Sequence, residues 1–177
     1  MAATVTINET NGPSASSVET PNIANLNFGS NDSPNIDPAT YPITAGDGVH
    51  SFEKWIRYYV STLGGSSRVD NLQVWFSSLG GGYESGEYVK ANLVTSGYSP
   101  ATYPTGGPVN TASAVAVNAM PTSQPAGANI GIGGALSGGI TVAPAYSDWI
   151  VMQLGCDHTT PPGNSNIKTI TFQWDEQ

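Results

Sequence analysis

The chain has 177 residues, 38% of them hydrophobic, which is the size of one domain able to bury a core of its own. Only 10% are charged, and polarity comes instead from 19 Ser, 17 Thr and 14 Asn, with 21 Gly and 13 Pro as turn formers. Five Lys and Arg against thirteen Asp and Glu leave a net charge of −8, which argues against a nucleic-acid partner, since binding phosphates requires clustered cations.

In chain order, residues 4–7 alternate as a short strand and are followed by Gly12, Pro13 and a run of serines. Residues 1–21 therefore read as an N-terminal arm able to pair with a neighbour. The first nine residues have neither the basic start nor the apolar stretch of a secretory signal. Residues 23–28 alternate as a second strand. Over 51–63, Phe52, Trp55, Ile56, Tyr59, Val60 and Leu63 fall at helical spacing, with Ser51 placed as an N-cap and Gly64 as a stop. Few strong helix formers occur there, and Ile56, Tyr58 and Val60 also alternate along a strand, which is the reading preferred.

Further strands are expected at 72–76, 87–94, 146–154 and 167–174, each rich in β-branched and aromatic residues and set between turns. Residues 95–145 form a long Gly/Pro-rich insertion in which only 112–118 resembles a strand. A segment of that length in a compact domain implies a contact of its own. Pro-Ala-Thr-Tyr-Pro occurs at 38–42 and again at 100–104 with no repeat around it, so it reads as reused turn chemistry. The fold class that follows is all-β: an antiparallel β-sandwich, with the jelly roll as a candidate form, of roughly eight strands, comprising the arm at 1–21 and a single domain at 22–177.

Reactive constellations are sparse. Cys156 is the only cysteine, so no internal disulfide and no cysteine-built metal site can form. Cys156 and His158 lie two apart, as a thiolate and its base would on an extended chain; without an orienting third group a buried thiol is the preferred reading, and no enzyme is expected. Asp32, Asn35 and Asp37, with Asp47 nearby, offer oxygen ligands suited to calcium, but Asx residues beside proline more commonly cap turns. His50 has no partner at ligand spacing. Neither metal nor cofactor is expected, and no run of about 18 apolar residues exists to cross a membrane.

The aromatic pattern says more. With Ile56, Tyr58 and Val60 facing a core shared with Leu72, Val74 and Phe76, the residues Trp55, Tyr59 and Trp75 lie on the opposite faces. They are read as covered by the chain itself or by a second subunit, ahead of a stacking platform for sugars. The segments at 41–46, 51–57, 70–75, 146–154 and 169–176 resemble small virion structural proteins of tailed bacteriophages, of the capsid decoration or accessory β-sandwich kind. That resemblance implies synthesis in the host cytoplasm and assembly onto a virion, with the major capsid protein or neighbouring structural subunits as partners and homo-oligomerisation. The candidate interface is Val5, Ile7, Trp55, Tyr59, Trp75, Tyr98 and Tyr103. The competing expectations are a carbohydrate- or receptor-binding module of a tail or fibre, and the subunit of an extracellular filament.

Overall fold

The computed structural model describes residues 1–46, 49–95, 97, 98, 120–163 and 165–177. Among these, the chain forms strands β1 (Thr4–Asn11), β2 (Val18–Thr20), β3 (Val49–His50), β4 (Lys54–Thr62), β5 (Val69–Ser78), β6 (Glu87–Val94), β7 (Ala145–Tyr146), β8 (Trp149–Cys156) and β9 (Thr169–Glu176), with one 3-10 turn at Ser14–Ser16. The expected class is what forms: an all-β antiparallel sandwich. The large sheet runs β2-β1-β4-β8, with β6 on the far side of β8 and the short β3 and β7 extending it along β8 and β4. The second sheet is the pair β5-β9.

The stretch that reads as helix or strand is strand β4, paired on one edge with β1 and on the other with β8. Its alternation decides the matter. Ile56, Tyr58 and Val60 are fully buried between the sheets with Leu72, Val74 and Phe76 of β5 and Ile150 and Met152 of β8. A helix would have kept Ile56 and Val60 on one side and turned Tyr58 to the other. The turn from β4 to β5 needs glycine at Gly64, whose φ is 61° and whose Cβ would fall 2.3 Å from the Met1 carbonyl oxygen.

Tyr58 joins the two layers. Its hydroxyl reaches across the core and shares its proton between the backbone carbonyls of Gln73, 2.6 Å away, and Gln173, 3.0 Å away. Those two residues are opposite each other where the β5–β9 register shifts, so the hydroxyl bridges the two strands beside that irregularity. Phe172 and Trp174 set their rings edge-on to the Tyr58 ring. Burial pushes the phenol well above its ordinary pKa, so it remains a donor.

Several expectations are corrected. Residues 1–21 do not project: Val5 pairs with Val60 and Ile7 with Tyr58, and β2 folds back on β1. The alternation of β1 places Val5 and Ile7 against the core, and β4 has an open edge that accepts the strand. Residues 23–28 form no strand, because Asn22 takes a positive φ of 51° and the segment then packs Ile23, Leu26 and Phe28 irregularly against the core. The single strand expected at 146–154 is broken between β7 and β8. There the Asp148 carboxylate accepts the N–H groups of Gly133 and Gly134, and Ser147 Oγ accepts the Tyr58 N–H. The described part of the insertion is a wall of the core, contributing buried Met120, Ile130 and Ile140; the strand expected at 112–118 lies outside the described residues.

One end of the sandwich is closed by charge. Lys54 and Glu9, both fully buried, form an ion pair at 2.9 Å; Lys54 also donates to the Ser33 carbonyl, and Asn11 donates to Glu9. Removing one member of such a pair leaves an uncompensated buried charge, so Lys54→Met should lower unfolding free energy by about 3–5 kcal/mol. Tyr58→Phe should cost about 1–3 kcal/mol, by leaving two buried carbonyls without their shared donor. Urea unfolding measures both as lower midpoints with unchanged slope.

Candidate functional site

The outer face of the large sheet holds most of the aromatic residues singled out above. Trp55 is only 2% exposed. It packs edge-on to Trp149 and to Tyr98, with ring centroids 5.8 and 5.4 Å away, and its indole N–H donates to Glu53 at 2.8 Å. Tyr98 lies just beyond β6, and its hydroxyl donates to the Gly12 carbonyl at 2.6 Å. The chain leaving β6 is thereby anchored to the β1–β2 connection across the face of the sheet. Farther along β4, Tyr59 stacks on Tyr146 at 4.7 Å, and the Arg57 guanidinium lies 3.5 Å from the Tyr146 ring and 4.0 Å from the Trp149 ring. Arg57 also pairs with Glu19, which Asn8 holds from β1.

These contacts correct the candidate interface. Trp55 and Trp75, the latter 8% exposed, are buried, and Val5 and Ile7 belong to the core. Tyr59 and Tyr98 are half-buried and engaged within the chain. Tyr103 lies outside the described residues. A sugar platform needs an open ring face with polar groups around it, whereas Trp55 is enclosed and Tyr146, 40% exposed, already carries both a ring and a guanidinium.

The residues considered for metal or catalytic chemistry are likewise engaged in turns and packing. Asp32 accepts from the Asn11 amide and the Gly12 N–H, and Asp37 caps its own turn by accepting from Ala39 N–H and Thr40 Oγ1. The Thr40 hydrogen bond holds the Asp37 carboxyl below its usual range. Asn35 sits at a positive φ of 49° in the separate turn just before it, and Asp47 lies outside the described residues. His50 Nε2 meets the Tyr88 hydroxyl at 2.8 Å, and the Tyr88 ring occupies the space a Cβ at Gly155 would need, 2.2 Å away. Cys156 ends β8; burial, reinforced by the Glu87 charge, pushes its thiol above the ordinary value. Burial alone would raise the Glu87 carboxyl too, but Lys168, Ser165 and the Glu84 N–H hydrogen-bond to it and hold it low.

The feature that sequence reasoning missed is an edge. On β5 the Val74 backbone exchanges two hydrogen bonds of 2.8 Å with the Asn129 side chain, the Phe76 N–H donates to Pro121, and the Leu72 carbonyl accepts from Asn129 and Ile130. That side of the small sheet is capped by residues 121–130. Val74 and Phe76 face away from β9, so their opposite neighbours Phe172 and Ile170 face away from β5. Trp174, two residues on from Phe172, follows the same alternation. Among the described residues only β5 pairs with β9.

Two of the other edges are guarded. The β2 edge is three residues long and carries Glu19, while β6 carries Glu87 and Lys90 and its Val89 carbonyl accepts from Met120. The β9 strand instead runs Thr169, Ile170, Thr171, Phe172, Gln173, Trp174 without a charge. The charge gap between Lys168 and Asp175 is visible in the sequence; that this strand stands at an edge is not. Long uncharged edges are the ones that accept another strand.

The raised Cys156 pKa leaves less thiolate at any given pH. Iodoacetamide should therefore alkylate the folded chain at pH 8 much more slowly than the urea-unfolded chain, and equal rates would show an accessible, reactive thiol. No known protein family, curated protein or solved structure matches the chain.

Proposed function

We propose that this chain is a structural protein of a bacteriophage particle, a decoration or stabilising subunit that acts through subunit–subunit contacts. The observation that carries the reading is β9, an eight-residue strand with one edge unpaired among the described residues and no charge from Thr169 to Trp174. Backbone groups on such an edge join chains with little dependence on side-chain identity. The resemblance to virion accessory proteins supplies the setting. A Ser/Thr/Asn-rich surface with few charges suits close packing among many subunits, and a net charge of −8 favours the outside of a shell over the side that meets DNA.

The test is co-sedimentation of the purified chain with virions and with empty shells assembled without it, followed by cryo-electron microscopy of the pelleted particles. Ordered density for the chain on the particle surface is the expected result. A chain that stays in the supernatant with every particle, at all concentrations tried, overturns the proposal.

A further inference from the structure

We infer that the occupant of the β9 edge is the β9 strand of a second copy, paired antiparallel about a two-fold axis at Phe172. This rests on reading β9 as an association edge and goes on to name the partner and the register.

The pattern of outward backbone groups carries the argument. Ile170, Phe172 and Trp174 turn their N–H and C=O groups to the unpaired side, and these three positions are symmetric about Phe172. Antiparallel pairing there sets Phe172 against its own symmetry mate and Ile170 against Trp174 of the other copy. All three pairs are then of the hydrogen-bonded kind, about six new backbone bonds in all. A shift by one residue would set outward groups against groups already bonded to β5, so register is restricted to steps of two.

Charge selects direction and register further. Lys168 precedes the strand, and Asp175 and Glu176 end it. The two-fold register sets Lys168 opposite Glu176 of the other copy and Thr169 opposite Asp175. A parallel arrangement would stack the two acidic ends on each other, which like charges across strands disfavour. Lys168 is already bonded to Glu87, so its contribution is to leave the acidic end facing a neutralised site instead of another carboxylate.

Side chains agree with this placement. Ile170, Phe172 and Trp174 point to the core side but are only half-buried, as are Val5, Ile7, Ile23, Leu26 and Phe28. The residues packed around them on β4 and β5 are fully covered. A second β9 would extend the small sheet from two strands to four and cover the exposed part of those three side chains. The contact is isologous and closes after two copies, so it yields a dimer and not a fibre.

In that register Thr171 faces Gln173 of the other copy across a non-hydrogen-bonded pair, whose Cα atoms lie about 4.5 Å apart, within disulfide range. Thr171 faces its own symmetry mate only diagonally, beyond disulfide reach. The experiment uses the full chain with Thr171→Cys and, separately, with Gln173→Cys, under mild oxidation with Cys156 blocked or replaced by Ser. An equimolar mixture should give a disulfide-linked dimer, and each variant alone should not. Sedimentation of the unmodified chain should give a mass twice 18.3 kDa, with association tightening as salt screens the −8 charge of each copy.

Thr171→Lys with Gln173→Lys should return the chain to a monomer, whereas Thr171→Lys with Gln173→Glu should keep the dimer. A monomer at all concentrations, cross-linking by either cysteine variant alone, or open-ended oligomers would each overturn the inference. A chain that binds particles while remaining monomeric overturns this inference and leaves the proposed function standing. A dimer that ignores particles does the reverse.

Discussion

The sandwich depends on a single hydroxyl group crossing its core. Tyr58 stands on the central strand of the large sheet, and its Oη reaches the carbonyls of Gln73 and Gln173 on both strands of the small one. A two-stranded sheet has little cohesion of its own. Tying both strands to β4 through one buried donor fixes their separation and their height above the large sheet. The Tyr58 backbone N–H is held in turn by Ser147, at the break between β7 and β8. One residue thus sets the spacing of the layers and shares in the interruption of the strand beside it.

That interruption organises the rest of the second layer. Because the chain leaves regular pairing at Ser147 and Asp148, the Asp148 carboxylate is free to hold the loop at Gly133 and Gly134. The loop lies in the segment that carries Met120, Ile130 and Ile140 into the core and caps β5 through Asn129. An irregular segment thereby does the work of a missing strand, with an amide side chain in place of a peptide unit. Buried backbone groups are satisfied this way at the β5 edge.

The asymmetry between the two edges of the small sheet follows. The β5 edge is capped within the chain, while β9, among the described residues, is left with backbone groups pointing outward beside half-buried apolar side chains. Most aromatic residues on the outer face of the large sheet pack against each other, edge-on or stacked, and against Arg57. The geometry therefore draws attention from that aromatic face to a strand of modest appearance near the C-terminus.

Composition and alternation alone determined the all-β class, the strand at 54–62 against its helical rival, and the inward set of Ile56, Tyr58, Val60, Leu72, Val74 and Phe76, because a period of two is a local property of the chain. They also showed that Asp37 has turn-capping chemistry close at hand, since its partners are two and three residues away. What only the tertiary structure decided is where each strand stands. Whether residues 4–11 project or pair with β4, whether Trp55 is open or enclosed by Tyr98, and which strand is left at an edge all depend on contacts between residues distant in sequence. Periodicity records which face of a strand is apolar; it carries no record of how many neighbours that strand has.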